Sequence, residues 1–166
     1  MHIILLNGAP GTGKSTLASL LHEHYRSPWF EFGWIPEFRN LNPHTEISYE
    51  EESELSFENL ILVVENYLRH GYENIIISDL TDDRVRKFAD YFQSYETTII
   101  TLFCGDEIIK SRVLTRDNGN EYRNSEEALR LNRAILSRLP RNNEHRINTA
   151  DGDAVEICEK VIRLLQ

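Results

Sequence analysis

Cysteine is scarce in this chain: Cys104 and Cys158 are the only two among 166 residues, and no CxxC pair occurs. Two thiols so far apart cannot build a metal tetrad by themselves, and they read as reduced, buried thiols of an intracellular protein. The six histidines form no HExxH, and His22 and His24 would point apart on a helix. No stretch approaches the ~18 uninterrupted apolar residues of a membrane span. Met1-His2-Ile3-Ile4-Leu5-Leu6 has no basic leader segment, so the expected location is the cytoplasm. Positive charge is also short, with 18 basic against 27 acidic residues and a net charge of −9. Such a surface repels phosphate backbones and anionic lipid, which excludes nucleic acid and membrane as expected partners. Repeats and Pro/Gly/Ser linkers are missing, and the length suits one domain over residues 1–166. With 40% hydrophobic and 27% charged residues, the composition is neither fibrous nor disordered.

What is present is alternation. Ile3-Ile4-Leu5-Leu6 is a continuous apolar run, the mark of a strand buried on both faces. Lys14 to about Arg26 carries Leu17, Leu21 and Tyr25 at helical spacing, and Ser27-Pro28 stops it. Trp29 to Phe32 predicts a second strand, followed by a loop with Pro36 and Pro43. Ser48 to Glu51 has capping-box spacing and opens a long helix that Gly71 ends. Strands over 74–79 and 98–103 follow, each leading into a helix, over 82–93 and 106–116. A further helix capped by Asn124 runs to Pro140. A short strand over 146–149 and a terminal helix from Asp153, with Val155, Cys158, Ile162 and Leu165 apolar, complete the pattern. Strand–helix alternation of this kind predicts an α/β fold with a parallel sheet, helices on both faces and ligands at the carboxyl ends of the strands.

At the carboxyl end of the first strand stands Gly8-Ala9-Pro10-Gly11-Thr12-Gly13-Lys14-Ser15, which matches G-x-x-x-x-G-K-[ST] at every specified place. Gly8, Gly11 and Gly13 let successive backbone N–H groups turn inward around phosphate oxygens. The loop then enters a helix N-terminus, whose free N–H groups and dipole favour an anion. Lys14 is placed to reach the β/γ-phosphates, Ser15 to ligate Mg²⁺, and Thr16 to hydrogen-bond an α-phosphate; Thr12 is counted with the nucleotide-binding loop. Asp79 ends the third strand and is read as a metal or acceptor residue, against the alternative of a cap for the next helix. Asp82 and Asp83 read as helix-start charges.

Arginines gather in the last third of an otherwise acidic chain. Arg116 and Arg123 flank the polar stretch Asp117-Asn118-Gly119-Asn120 and are assigned to charge neutralisation on a lid over about 117–124, with Arg116 also able to lie on a base ring. Arg130, Arg133, Arg138 and Arg141 read as solvated helix arginines.

Together these features resemble the small P-loop kinases: shikimate kinase, gluconate kinase, chloramphenicol phosphotransferase and the nucleoside monophosphate kinases. The resemblance implies a three-layer P-loop NTPase fold, a five-stranded sheet of order 2-3-1-4-5 and Asp79 beside the phosphate loop. It also implies a lid bearing Arg116 and Arg123, and Thr149 to Gly152 near the adenine. ATP and Mg²⁺ are the implied cofactors. The acceptor does not carry over, because Phe30-Glu31-Phe32-Gly33-Trp34 and Ser78-Asp79-Leu80 replace the shikimate kinase signatures at those places. Trp29 to Arg39 mixes aromatics with Glu31, Glu37 and Arg39, which suits either an acceptor pocket or core packing.

The expected function is therefore a Mg-ATP-dependent kinase acting on an unidentified small molecule. The rivals are a nucleotide-dependent switch and a family member that binds without turnover. A GTPase is disfavoured because Asn148-Thr149-Ala150-Asp151 lacks the lysine of N-K-x-D. The chain reads as too short for an AAA-type module with its helical lid domain.

Overall fold

Three apolar runs set the centre of the sheet. β1 (His2–Asn7) and β3 (Ile75–Ser78) are buried along their whole length, and β4 (Glu96–Phe103) is buried over Ile99 to Leu102. β2 (Trp29–Glu31) and β5 (Glu144–Asn148) form the edges. All pairings are parallel, and the order is β2-β3-β1-β4-β5, as the resemblance implies. The computed structural model describes residues 2–35, 47–116 and 122–166. Pro36, Glu37, Phe38, Arg39, Pro43 and the lid residues 117–121 lie outside the described residues.

The helices are α1 (Lys14–Tyr25), α2 (Tyr49–Arg69), α3 (Asp82–Tyr91), α4 (Asp106–Thr115), α5 (Ser125–Ser137) and α6 (Ala154–Leu164). Alternate side chains of each strand serve opposite layers. Ile3, Leu5, Ile75, Ile77 and Ile99 pack with α2 and α3. Ile4, Leu6, Ile76, Ile100 and Leu102 pack with α1 and α6. α2 begins at the expected capping box, with Ser48 and Glu51 bonding each other's backbone, and Gly71 follows its end at φ 80°. Among the described residues no helix is long and apolar enough to cross a membrane.

Three details differ from the sequence reading. α6 buries Ile157, Cys158 and Val161 and leaves Val155 outside, because Asp153 caps the helix and fixes its phase. β4 starts at Glu96, since ladder pairing with His2 and Ile3 extends it through polar residues. β5 starts at Glu144, since ladder pairing with Ile99 begins there.

Candidate active site

β1 ends at Asn7, and the chain turns sharply through Gly8 into α1. Gly8 has φ 140°, and a Cβ there would meet the Leu102 carbonyl oxygen at 2.5 Å and Thr12 Oγ1 at 2.7 Å. The turn can run this close to β4 only with glycine. Gly13 takes the N-cap place of α1 at φ 99° and supplies no side chain, so among the described residues no side-chain cap bond closes the first turn. A helix start of this kind is an anion site.

Lys14, Ser15 and Thr16 of that first turn line a cavity of about 450 Å³ together with Asp79, Arg112 and Arg116. Lys14 Nζ donates to the carbonyls of Gly8 at 2.8 Å and Ala9 at 3.2 Å. Burial lowers its pKa, while the carboxylates of Asp79 and Glu31 oppose that fall and Arg116 reinforces it. Gly11 and Gly13 also line this cavity. Thr12 does not serve as a free hydroxyl: it is fully buried, and its Oγ1 donates to the Ala9 carbonyl at 2.8 Å. The hydroxyl thus braces the loop from beneath, and the residue lines the cavity that adjoins this one.

Asp79 stands just past β3, at the carboxyl edge where the sequence placed it. Its φ of 67° is left-handed, which costs a non-glycine residue about 1 kcal/mol. Thr81, not Asp79, caps α3, so the Asp79 carboxylate is not engaged as the α3 cap. It lies against Gly33, where a Cβ would stand 3.1 Å from Oδ2.

Glu31, at the end of β2, has a more direct tie to the loop. The Ser15 hydroxyl donates to Glu31 Oε1, and Ser78 Oγ lies 3.5 Å from the same oxygen. Sequence reasoning assigned Glu31 only to the acceptor side. Its parallel pairing with Ser78 is what carries it to the phosphate loop.

Arg116 ends α4 and lines the cavity, with its guanidinium 6.0 Å from the Tyr122 ring centroid. Arg123 is not brought there: it donates to the carbonyls of Arg116 at 2.9 Å and Tyr122 at 3.1 Å. These two bonds tie the Arg123 guanidinium to the end of α4. Arg112, one turn before Arg116, belongs to the same lining, though no motif in the sequence assigns it there. It donates to Thr149 Oγ1 at 3.1 Å and to the Thr149 carbonyl at 3.4 Å. The only signal for it in the sequence was its i, i+4 relation to Arg116.

A second cavity, of about 280 Å³, is lined by Leu17, Leu102, Thr149, Gly152, Ala154 and Ile157 among others, and it shares Gly13, Thr16 and Arg112 with the first. Thr149 and Gly152 thus adjoin the phosphate-loop cavity. On the β2 side the aromatics divide. Phe30 and Phe32 pack on the α2/α3 core and Trp29 on the α1/α6 core, whereas Trp34 is 44% exposed with its ring centroid 5.1 Å from that of Trp29.

A family model described as an AAA domain matches residues 4–132. That overturns the expectation that the chain is too short for such a module: the match runs from β1 into α5, through the nucleotide-binding core. A sugar kinase from Janibacter sp. HTCC2649 superposes with a TM-score of 0.70 at 19% identity, over 99% of this chain and 93% of that one. Shikimate kinase from Acinetobacter baumannii gives 0.62 at 24% identity, over 99% and 92%. A gluconokinase from Sinorhizobium meliloti 1021 gives 0.64 at 14% identity, over 98% and 90%. At these identities the likeness is one of fold. No curated protein matches the sequence. Sheet order, phosphate loop and family match agree: the chain belongs to the AAA domain family and has the fold of the small P-loop kinases.

Proposed function

We propose that this protein is a Mg-ATP-dependent phosphotransferase that moves the γ-phosphoryl group to a small-molecule acceptor. The observation that carries the reading is the pair of adjoining cavities at the uncapped start of α1. One is charged and suits a polyphosphate, the other is more apolar and suits a base, and Gly13, Thr16 and Arg112 belong to both.

In this reading Gly8, Gly11 and Gly13 shape the amide cradle, and Lys14 exchanges its two loop carbonyls for the β/γ-phosphates. Thr16 bonds the α-phosphate side, and Arg112 and Arg116 offset charge on the transferring group. The donors near Ser15 are hard oxygens, its own hydroxyl and the carboxylates of Glu31 and Asp79, and such a set fits Mg²⁺. When bound there, the ion would neutralise phosphate charge. Asp79 faces the same space and orients the acceptor hydroxyl or takes its proton. The two buried free thiols, Cys104 and Cys158, support a reducing, cytoplasmic location.

ADP release from MgATP, measured with sugars, shikimate, gluconate, nucleosides and aminoglycosides in turn, tests the reading. Stimulation by one acceptor class, lost by about 10²-fold or more in Lys14→Ala, is the expected result. Slow hydrolysis indifferent to every acceptor would favour the switch, and an unaffected rate in Lys14→Ala would refute the assignment.

A further inference from the structure

Between α3 and α5 the sheet carries a closed polar network. Arg138 donates to Asp82 through Nε at 2.8 Å and Nη2 at 2.6 Å, and to Glu144 through Nη1 at 2.7 Å and Nη2 at 3.0 Å. Asn7 Nδ2 donates to Asp82 Oδ1 at 2.8 Å and to Thr101 Oγ1 at 3.2 Å, and Thr101 in turn donates to Glu144 at 2.6 Å. The Glu144 side chain is fully buried, and those of Arg138 and Asp82 are 18% and 20% exposed. None of these three side chains lines the cavities at the phosphate loop.

Two of the anchored residues adjoin the chemistry. Asn7 immediately precedes Gly8. Asp82 closes the turn that begins at Asp79, and Asp79 holds a left-handed backbone that persists only where its surroundings over-determine it. One end of that turn is fixed by Ser78, buried in β3 and bonded by Trp29 Nε1 at 3.0 Å. The other end is fixed by Asp82, and Asp82 is fixed by the Arg138 fork. A third fastening holds the fork itself: Arg146 donates to the carbonyls of Ile135, Leu136 and Arg138, so the end of α5 cannot drift.

We infer that Arg138 and Asp82 are positioning residues, which hold Asp79 in its strained conformation and so set the reacting geometry at the phosphate loop. The inference rests on the kinase reading above. A displacement of about 1 Å at a reacting group costs about 10²-fold in rate, so a loosened clamp is read in turnover before it is read in binding.

The test uses Asp82→Asn, which keeps volume but turns an amide N–H toward a guanidinium N–H, and Arg138→Lys, which keeps charge but loses the fork. MgADP affinity by calorimetry and the acceptor-free MgATP hydrolysis rate are measured for each. Both variants are expected to lower the rate at least about tenfold while MgADP affinity changes less than about threefold. In an Asp79→Asn background, Asp82→Asn is expected to cost no further rate, because it acts through Asp79; a merely structural role would multiply the losses. Arg130→Ala, which breaks an exposed α5 ion pair with Glu127, is the control and leaves the rate unchanged. Unchanged rates in both network variants, or equal losses with and without Asp79, overturn the inference. Absence of MgADP binding and of hydrolysis in the unaltered protein overturns the kinase reading itself.

Discussion

Replacing Arg138 with methionine would leave the carboxylates of Asp82 and Glu144 without their shared cation. Breaking a buried ion pair by removing one partner costs about 3–5 kcal/mol. Asp82 is one-fifth exposed and water can reach it, so the lower end, about 3 kcal/mol, applies here. For a chain of this size each kcal/mol moves Tm by about 2–4 °C, which gives a fall of about 6–12 °C. The pH dependence separates this cause from simple lost packing. Burial pushes the Glu144 carboxyl up, but hydrogen bonds from Arg138, Thr101 and the Arg141 amide bring it below its ordinary value, with Arg146 Nε 3.7 Å away. A depressed carboxylate pKa contributes stability above the unfolded value, near 4.3, and loses it as pH falls through the folded value. Without Arg138 burial prevails and the Glu144 pKa rises, so the sign reverses. Arg138→Met should therefore recover part of its lost stability between pH 7 and pH 5, where the unaltered protein gains nothing from this group. Circular dichroism melts without nucleotide, at fixed salt and at both pH values, read this directly. A Tm within 2 °C of the unaltered protein, or parallel pH trends in the two proteins, would refute the reasoning.

Gly8→Ala should abolish nucleotide binding and lower stability by about 1–3 kcal/mol, because its Cβ meets backbone at 2.5 Å and cannot be accommodated by a side-chain shift; melts and MgADP titration check both. Ser48→Ala removes the hydroxyl that accepts from the Glu51 amide at 3.2 Å, and should cost about 1 kcal/mol in a thermal melt with turnover unaltered.

What was legible in the sequence was local or was written in runs. Ile3 to Leu6 and Ile75 to Ile77 are strands buried on both faces, so their apolar character is continuous and needs no partner to be seen, and Thr101 alone interrupts the run Ile99 to Leu102. The phosphate loop is contiguous, and its glycine places are dictated by backbone turns that Gly8 and Gly13 in fact make. Helix caps at Ser48, Asn124 and Asp153 depend on neighbours a few residues away. The illegible features were made by pairing across the chain. Arg138 reads as a solvated helix arginine until folding brings Asp82 and Glu144 to it. Glu31 joins Ser15 only because β2 pairs with β3 in the register that sets Glu31 beside Ser78. Arg112 joins Arg116 at the cavity because α4 runs one face along it and ends at Arg116. The α6 phase is not legible because Val155, two residues past the cap, faces water despite being apolar.

The claim on which the rest depends is that the uncapped start of α1 grips a polyphosphate. Calorimetric titration of the protein with MgATP and MgADP tests it most directly. One saturable site for each, with the heat lost in Lys14→Ala, is the predicted result; no heat with any magnesium nucleoside triphosphate would contradict the account.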